Sequence, residues 1–237
     1  MVKYIVNRLL LTSLAIGVFN ACTYLPEPYE IESEFSIEET NQYIQIKHGV
    51  NIETGIIFYP GGFVDAHAYI PTLTSGDMVS FNQKEALQSF IVKMPANLAV
   101  LDAQAAIPII TDHPNIKQWF LAGHSLGGAM ACTAINKNRE LFEGLILMAA
   151  YPAANVDLSD WQGKVLSLRG SNDGLTTQQD IDDTKNQLPD DTEYIIIEGG
   201  NHAGFAQYGN QKGDGTNQLE TLEQIDLTIS NILDFIL

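Results

Sequence analysis

Positive charge is scarce in this chain. Its 237 residues include 12 lysines and arginines against 29 aspartates and glutamates, which gives a formal net charge of −17 at pH 7. Because such a surface repels phosphate backbones, we expect no nucleic-acid partner. The chain also lacks the G-x-x-x-x-G-K-[ST] phosphate-loop pattern, so nucleotide binding has no support in the sequence.

Cysteine and metal-binding patterns are scarce as well. The two cysteines are Cys22 and Cys132, and if Cys22 carries a lipid, Cys132 has no partner for an intrachain disulfide. Cys132 stands among small residues of a predicted helix, which is typical of a buried structural thiol. The histidines lack the spacings H-E-x-x-H and H-x-x-E-H, so we predict no metal site.

The N-terminal apolar run, Leu9 to Phe19, is too short to span a bilayer as a helix and is typical of a signal-peptide core. Cys22 follows it and resembles the lipidated cysteine of bacterial lipoproteins, although Phe19 and Asn20 depart from that pattern. We predict that residues 1–21 are a signal peptide and that a lipid on Cys22 anchors the exported protein at the membrane, in the periplasm or on the cell surface. An ordinary cleaved signal and an uncleaved anchor are the alternatives.

Composition divides the rest of the chain into two parts. Residues 22–41 are rich in Pro, Glu and Ser and predict an acidic tether, although partial alternation from Glu30 to Ile37 also fits an edge strand. Residues 42–237 predict one domain of ordinary size. A hydrophobic content of 45% is typical of a folded chain.

Within 42–237, apolar runs alternate with helical segments, and several runs are continuously apolar, such as GLILMAAYP and KVLSLRG. Strands covered on both faces have this pattern, so we predict an α/β fold with a mostly parallel central sheet and helices on both faces. The segment 96–110 predicts a helix that ends at Pro108. Ligands of such sheets bind at the carboxyl ends of the strands. Four groups of polar or small residues follow predicted strands: Gly61-Gly62-Phe63, Gly123-His124-Ser125, Asn172-Asp173 and Asn201-His202.

The sequence from Gly123 to Gly127 fits G-x-S-x-G, the pattern of a nucleophile elbow. The turn is so tight that side chains at the flanking positions would collide with backbone, which glycine avoids, and the serine projects into the cleft. The pattern alone is weak, because chance produces it in many chains. Its position between a predicted strand and a predicted helix strengthens it, and we assign Ser125 as the candidate nucleophile.

Two partners follow in the order that this motif requires, first an acid and then a histidine. His202 would take the proton of Ser125 and return it to the leaving group. Asp173 would hold the imidazole in the required tautomer. The run SNDG is also a good turn sequence, so a turn role for Asp173 stays open. His124 is predicted to be structural.

The oxyanion of a tetrahedral intermediate needs two backbone donors. The N–H of Leu126, directly after the nucleophile, is the first. The N–H of Gly62 or Phe63 is the second, because YPGG resembles the HGGG-type loop that supplies this donor in lipases. A plain turn at Gly61-Gly62 is the alternative.

From about residue 42 to the end, the chain resembles the α/β-hydrolases, close to their dienelactone-hydrolase-like esterase branch. The resemblance rests on YPGGFVDAHAY, GHSLGG, LRGSNDGLTT and GGNHAGFAQYG. It implies the α/β-hydrolase fold and a catalytic triad of Ser125, Asp173 and His202 that needs no cofactor. Dienelactone hydrolases proper use a cysteine nucleophile, so the serine here favours generic esters.

About ten residues separate Pro152 from the strand that begins at Gly163, too few for a helical lid domain. We therefore expect an open cleft and a serine hydrolase that cleaves small carboxylic esters or lactones through an acyl-enzyme. A membrane-associated lipid or amide hydrolase with the same triad is one alternative. A non-catalytic, hydrolase-like binding protein is the other. The sequence does not indicate an oligomeric state.

Overall fold

The computed structural model describes residues 23–29, 35–48, 52–75 and 87–236. The predicted signal peptide and Cys22 lie outside these ranges, so export and lipidation stay predictions from the sequence. Within the described ranges, no helix combines the length and the apolar character that crossing a membrane requires.

A single sheet of eight strands organises the described part of the chain. The strands are β1 (Ser36–Glu39), β2 (Tyr43–His48), β3 (Thr54–Tyr59), β4 (Leu87–Val92), β5 (Gln118–His124), β6 (Gly144–Met148), β7 (Lys164–Gly170) and β8 (Glu193–Ile197). Their order across the sheet is β1-β2-β4-β3-β5-β6-β7-β8. The pairs β1–β2 and β2–β4 are antiparallel and all others are parallel. The prediction of a mostly parallel sheet is confirmed.

Helices cover both faces of this sheet. They are α1 (Ile70–Leu73), α2 (Ala106–Asp112), α3 (Leu126–Lys137), α4 (Gln178–Thr184) and α5 (Thr221–Ile236). Short 3₁₀ turns occupy Ala66–Tyr69, Pro95–Asn97, Ala99–Leu101, Arg139–Leu141, Lys185–Gln187 and Ala203–Phe205. Side chains of β3 alternate between two cores: Phe58 packs with α1 and α5, and Ile57 packs with α2 and α3. The predicted arrangement of helices on both faces is therefore confirmed.

The predicted helix over 96–110 is wrong in its position. The helix begins at Ala106 and continues past Pro108, which lies in its first turn, where a missing N–H removes no helical hydrogen bond. The residues before it form 3₁₀ turns, in which Ala96 and Asn97 adopt positive φ angles of 50° and 54°. Pro108 is part of the helix start and does not end the helix.

Parts of the segment 22–41, predicted as an acidic tether with an edge strand as the alternative, pack on the domain. The edge strand β1 lies inside it and pairs with β2. Near its start, the N–H of Tyr24 donates to the carbonyl of Phe63, and the ring of Tyr24 packs on Tyr208 with centroids 5.5 Å apart. An aromatic side chain that covers apolar surface is stabilising, which acidic composition alone does not reveal.

Residues 149–163, between β6 and β7, are all described and contain turns but no helix. The expectation of no lid domain at this position is confirmed. This connection therefore places no helical domain over the carboxyl ends of β5 and β6.

Candidate active site

The elbow between β5 and α3 holds Ser125 in an unusual backbone conformation. Its φ and ψ angles are 52° and −123°, a strained combination for a residue with a side chain. Its N–H donates to the carbonyl of Met148, which fixes the turn against β6. The hydroxyl makes no capping hydrogen bond to α3 and lines a cleft at the carboxyl edge of the sheet.

The flanking glycines are required by close backbone contacts. A Cβ on Gly123 would lie 2.5 Å from the backbone nitrogen of Gly128. A Cβ on Gly127 would fall on the carbonyl oxygens of Tyr59 and Pro60. Backbone atoms cannot move aside as a flexible side chain can, so both positions exclude larger residues, as the sequence predicts.

Asp173 and His202 meet in the interior behind the cleft. Nδ1 of His202 lies 3.0 Å from Oδ2 and 3.2 Å from Oδ1 of Asp173, and both side chains are buried. Oδ1 also accepts the N–H groups of Leu175 and Thr176, at 2.8 and 2.7 Å. The carboxylate is thus held by its own loop in an orientation that favours a proton on Nδ1.

With its proton on Nδ1, the imidazole of His202 has a lone pair on Nε2. This atom is buried, and it has no hydrogen-bond partner among the described residues. Both His202 and Ser125 line the cleft. A general base needs such an acceptor within reach of the serine hydroxyl, and hydrogen bonds of this kind often tighten only when substrate binds.

The structure distinguishes the two candidates for the second oxyanion donor. The N–H of Phe63 donates to the carbonyl of Asn97 at 2.8 Å, so it is not free. The N–H of Gly62 has no acceptor among the described residues, and a Cβ on Gly62 would be 3.2 Å from the side chain of Leu126. Leu126 begins α3, where N–H groups have no helical partner. The donors available are therefore those of Leu126 and Gly62.

A buried network that the sequence did not reveal connects the glycine loop to the loop of His202. Nε2 of His124 lies 3.0 Å from the carbonyl oxygen of His202 and must be the donor, because a carbonyl only accepts. Burial and the neighbouring His202 lower the pKa of His124 well below its usual range, so the ring is neutral. Its Nδ1 then accepts from the hydroxyl of Tyr69 at 2.8 Å, and that oxygen accepts the N–H of Gly61 at 2.9 Å.

This network supports the prediction of a structural His124 and adds Tyr69, which sequence reasoning missed. Burial raises the pKa of Tyr69, so the phenol keeps the proton that it donates. The only sequence signal for it was an aromatic residue a few positions after the Gly61-Gly62 loop.

A family model described as the alpha/beta hydrolase family matches residues 55–226. The chain belongs to the α/β-hydrolase family. Solved structures agree in fold. An α/β-hydrolase fold protein from Chitinophaga pinensis has a TM-score of 0.61 at 14% identity and covers 85% of this chain and 96% of its own. A search of curated protein sequences found no significant match.

Two esterases from Bacillus subtilis share the fold of this α/β-hydrolase. Carboxylesterase CesB has a TM-score of 0.58 at 14% identity, and naproxen esterase has 0.59 at 11%. Each alignment covers 88% of this chain and 93% of the esterase. At such low identity the likeness establishes the fold alone.

The cleft of this α/β-hydrolase has a volume of about 290 Å³, at the small end of ligand pockets. Beside Ser125 and His202, its lining consists of Leu126, Ala129, Ala149, Ala150, Tyr151, Leu175, Thr176 and Gln211. Within the described ranges, the lining combines small and apolar side chains with a few polar ones and includes no lysine or arginine. Among the described residues, no three His, Cys, Asp or Glu side chains are grouped as metal ligands would be.

Proposed function

We propose that this α/β-hydrolase is a serine hydrolase that cleaves small carboxylic esters or lactones through an acyl-enzyme intermediate. The observation that carries the proposal is the buried Asp173–His202 pair, which leaves Nε2 of His202 without a partner among the described residues, on a side chain that lines the same cleft as Ser125. A binding protein has no need of an oriented acceptor beside a strained serine.

Acylation uses each of these groups. Nε2 of His202 takes the proton of Ser125 as Oγ attacks the ester carbonyl carbon. The carbonyl oxygen becomes an oxyanion that accepts from the N–H groups of Leu126 and Gly62. When the tetrahedral intermediate collapses, the carbon–oxygen bond to the alcohol breaks, and the imidazolium protonates the leaving alkoxide.

Deacylation repeats the sequence with water. Nε2 of His202 takes a proton from water, and the oxygen attacks the acyl carbon of the Ser125 ester. The second tetrahedral intermediate is held by the same two N–H groups and collapses to release the carboxylic acid, while the proton on His202 returns to Ser125. Asp173 stabilises the imidazolium in both halves of the reaction.

The fold neighbours add modest support for ester substrates, since two of them are named as esterases. The small cleft and the absence of a lid between β6 and β7 favour short acyl chains over long lipids. This preference separates the proposal from its alternative, a hydrolase of membrane lipids.

The charge of the cleft predicts selectivity among small esters. Because no lysine or arginine is among the described residues of its lining and the chain carries a net charge of −17, a carboxylate on the substrate would find no cationic side chain to pair with. We expect kcat/KM for monoethyl succinate to be about tenfold lower than for ethyl butyrate, an effect of about 1.4 kcal/mol. Higher salt should narrow the gap by screening. Equal rates on both esters at low salt would contradict this prediction.

Covalent labelling tests the proposed nucleophile directly. A fluorophosphonate probe, followed by peptide mass spectrometry, should give one adduct on Ser125, because the probe reacts with a serine that a neighbouring base activates. Ser125→Ala should abolish the adduct, and Ser159→Ala, at an exposed serine, should leave it unchanged. Folded protein that gives no adduct would favour the non-catalytic binding protein instead.

A further inference from the structure

The loop that follows His202 returns to the site and inserts Gly213-Asp214-Gly215 behind the catalytic pair. The carboxylate of Asp214 accepts four backbone N–H groups. Oδ1 accepts from His202 and Gly174, each at 3.1 Å, and from Gly215 at 2.7 Å. Oδ2 accepts from Ala203 at 2.9 Å.

Three of these four hydrogen bonds come from two other loops, and the fourth, from Gly215, is local. Gly174 directly follows Asp173 in the loop after β7, and His202 and Ala203 belong to the loop after β8. We call the loop after β7, which carries Asp173, the acid loop, and the loop after β8, which carries His202, the base loop. One carboxylate therefore joins the backbones of these two loops. Hydrogen bonds to an ionised acceptor are stronger than neutral ones, so this connection is stiff.

Close backbone packing supports the same connection. A Cβ on Gly174 would lie 2.7 Å from the nitrogen of Gly215 and 2.8 Å from the carbonyl oxygen of Gly213. A Cβ on Gly215 would fall on the carbonyl oxygen of Asn172. Gly213 has a φ of 92°, which favours glycine. The backbone on both sides of Asp214 thus packs directly against the backbone of the acid loop, with no room for a side chain on Gly174 or Gly215.

The base loop is anchored on its other side by α5. Gln224, fully buried, accepts the N–H of Asn201 at 3.0 Å and donates to its carbonyl at 2.8 Å. The amide of Asn201 in turn donates to the carbonyl of Gly215 at 2.9 Å.

Side chains of the acid loop also reach the start of the base loop, since the hydroxyl of Ser171 accepts the N–H of Gly199 at 2.8 Å and the amide of Asn172 donates to the Gly199 carbonyl at 3.2 Å. Asp214 differs from both because it bonds to the backbone of His202 itself.

We propose that Asp214 is a positioning residue that sets the geometry of the Asp173–His202 hydrogen bond, an inference that rests on the proposed function. Asp214 does not line the cleft, so it acts on substrate only through His202. Its removal should impair proton transfer by His202 and leave substrate binding nearly unchanged.

Two substitutions grade the effect. Asp214→Ala removes all four acceptor contacts and should lower kcat about 100-fold, the effect of a misplacement of about 1 Å in a catalytic group. Asp214→Asn keeps the Oδ1 contacts but places an amide N–H₂ against the N–H of Ala203, so we expect a smaller loss of about 10-fold. KM should stay within about twofold in both variants, since Asp214 does not line the cleft and the contacts that bind the substrate are unchanged.

The matched control is Asp157→Asn. Asp157 also accepts local hydrogen bonds, from the N–H and hydroxyl of Ser159 at 3.0 and 2.7 Å, but it lies exposed in the connection between β6 and β7. This variant should keep wild-type kcat. Circular dichroism and thermal unfolding would establish that all variants are folded before rates are compared.

Proton NMR gives a second readout that needs no turnover. The Nδ1 proton of a histidine bound to a buried carboxylate resonates far downfield. We expect this signal in the wild type, in Asp157→Asn and in Ser125→Ala, and its upfield shift or loss in Asp214→Ala. A merely structural role for Asp214 would lower the unfolding temperature without moving this resonance in the folded protein.

The results separate this inference from the proposed function. Suppose that the fluorophosphonate probe labels the wild type. If folded Asp214→Ala then keeps wild-type kcat, or if its kcat/KM falls only because KM rises, the role of Asp214 is overturned. A lower kcat with an unmoved resonance overturns it as well. If the probe does not label the wild type, the proposed function fails. The resonance of Asp214→Ala then still decides whether Asp214 sets the geometry of the Asp173–His202 hydrogen bond.

Discussion

Replacing Asp173 with asparagine is expected to lower kcat by about 10⁴-fold while the protein stays folded. Asparagine can keep the Oδ1 contacts to the N–H groups of Leu175 and Thr176. Its amide N–H₂ then replaces Oδ2 and faces Nδ1 of His202, which must become an acceptor. The imidazole proton moves to Nε2, and a protonated Nε2 on a neutral ring cannot take the proton of Ser125.

The measurement is steady-state turnover of a short ester, with thermal unfolding as the check of the fold. Asp183→Asn is the matched control, because Asp183 is exposed on α4 and accepts only from Gln179 among the contacts described for it. It should keep wild-type kcat. Retention of more than about a tenth of wild-type kcat by Asp173→Asn would exclude Asp173 as the residue that orients His202.

The candidate triad could be predicted because each of its signals is local. Ser125 stands between glycines at a change from strand to helix, and Asp173 and His202 each follow an apolar run. Chain order and the alignment of carboxyl ends in a parallel sheet then bring the three to one edge. What local signals could not decide is whether Asp173 makes a turn or contacts the histidine, and in the structure its carboxylate does both.

The supporting residues could not be predicted because their partners are distant in sequence. Asp214 lies in a polar, glycine-rich run that looks like an ordinary turn, and its four donors come from three stretches of chain. The same holds for Tyr69, which lies in a 3₁₀ turn, since its partner His124 is the last residue of β5. The choice between Gly62 and Phe63 depended on the carbonyl of Asn97 in a separate loop.

The fold shows the same division between local and distant information. Apolar runs predicted the strands well, but β8 lies at the edge of the sheet, where Tyr194 and Ile196 stay 38% and 47% exposed. An apolar run does not tell whether both faces of a strand are covered. The prediction that a helix ends at Pro108 was wrong for a related reason. A proline either ends a helix or lies in its first turn, and the conformation of the preceding backbone decides which.

Replacing Gly127 with alanine is the second substitution with a large expected effect. The added methyl group would fall on the carbonyl oxygens of Tyr59 and Pro60, at the end of β3. Relief requires α3 and this backbone to separate, which we expect to lower the free energy of unfolding by about 2 kcal/mol or more. Pro60 directly precedes Gly61-Gly62, so the same displacement moves the N–H of Gly62 away from the oxyanion. Loss of one such donor lowers kcat by about 10²-fold to 10³-fold.

Denaturant unfolding and ester turnover of Gly127→Ala should therefore both change, and kcat should fall even under conditions in which the variant is fully folded. Thr133→Ala is the control on the same helix, since Thr133 is only partly buried and its hydroxyl bonds within α3. It should change stability by no more than about 0.5 kcal/mol and leave kcat unaltered. Wild-type kcat in folded Gly127→Ala would contradict the close contact between the elbow and the end of β3, and with it the placement of Gly62 as the second donor.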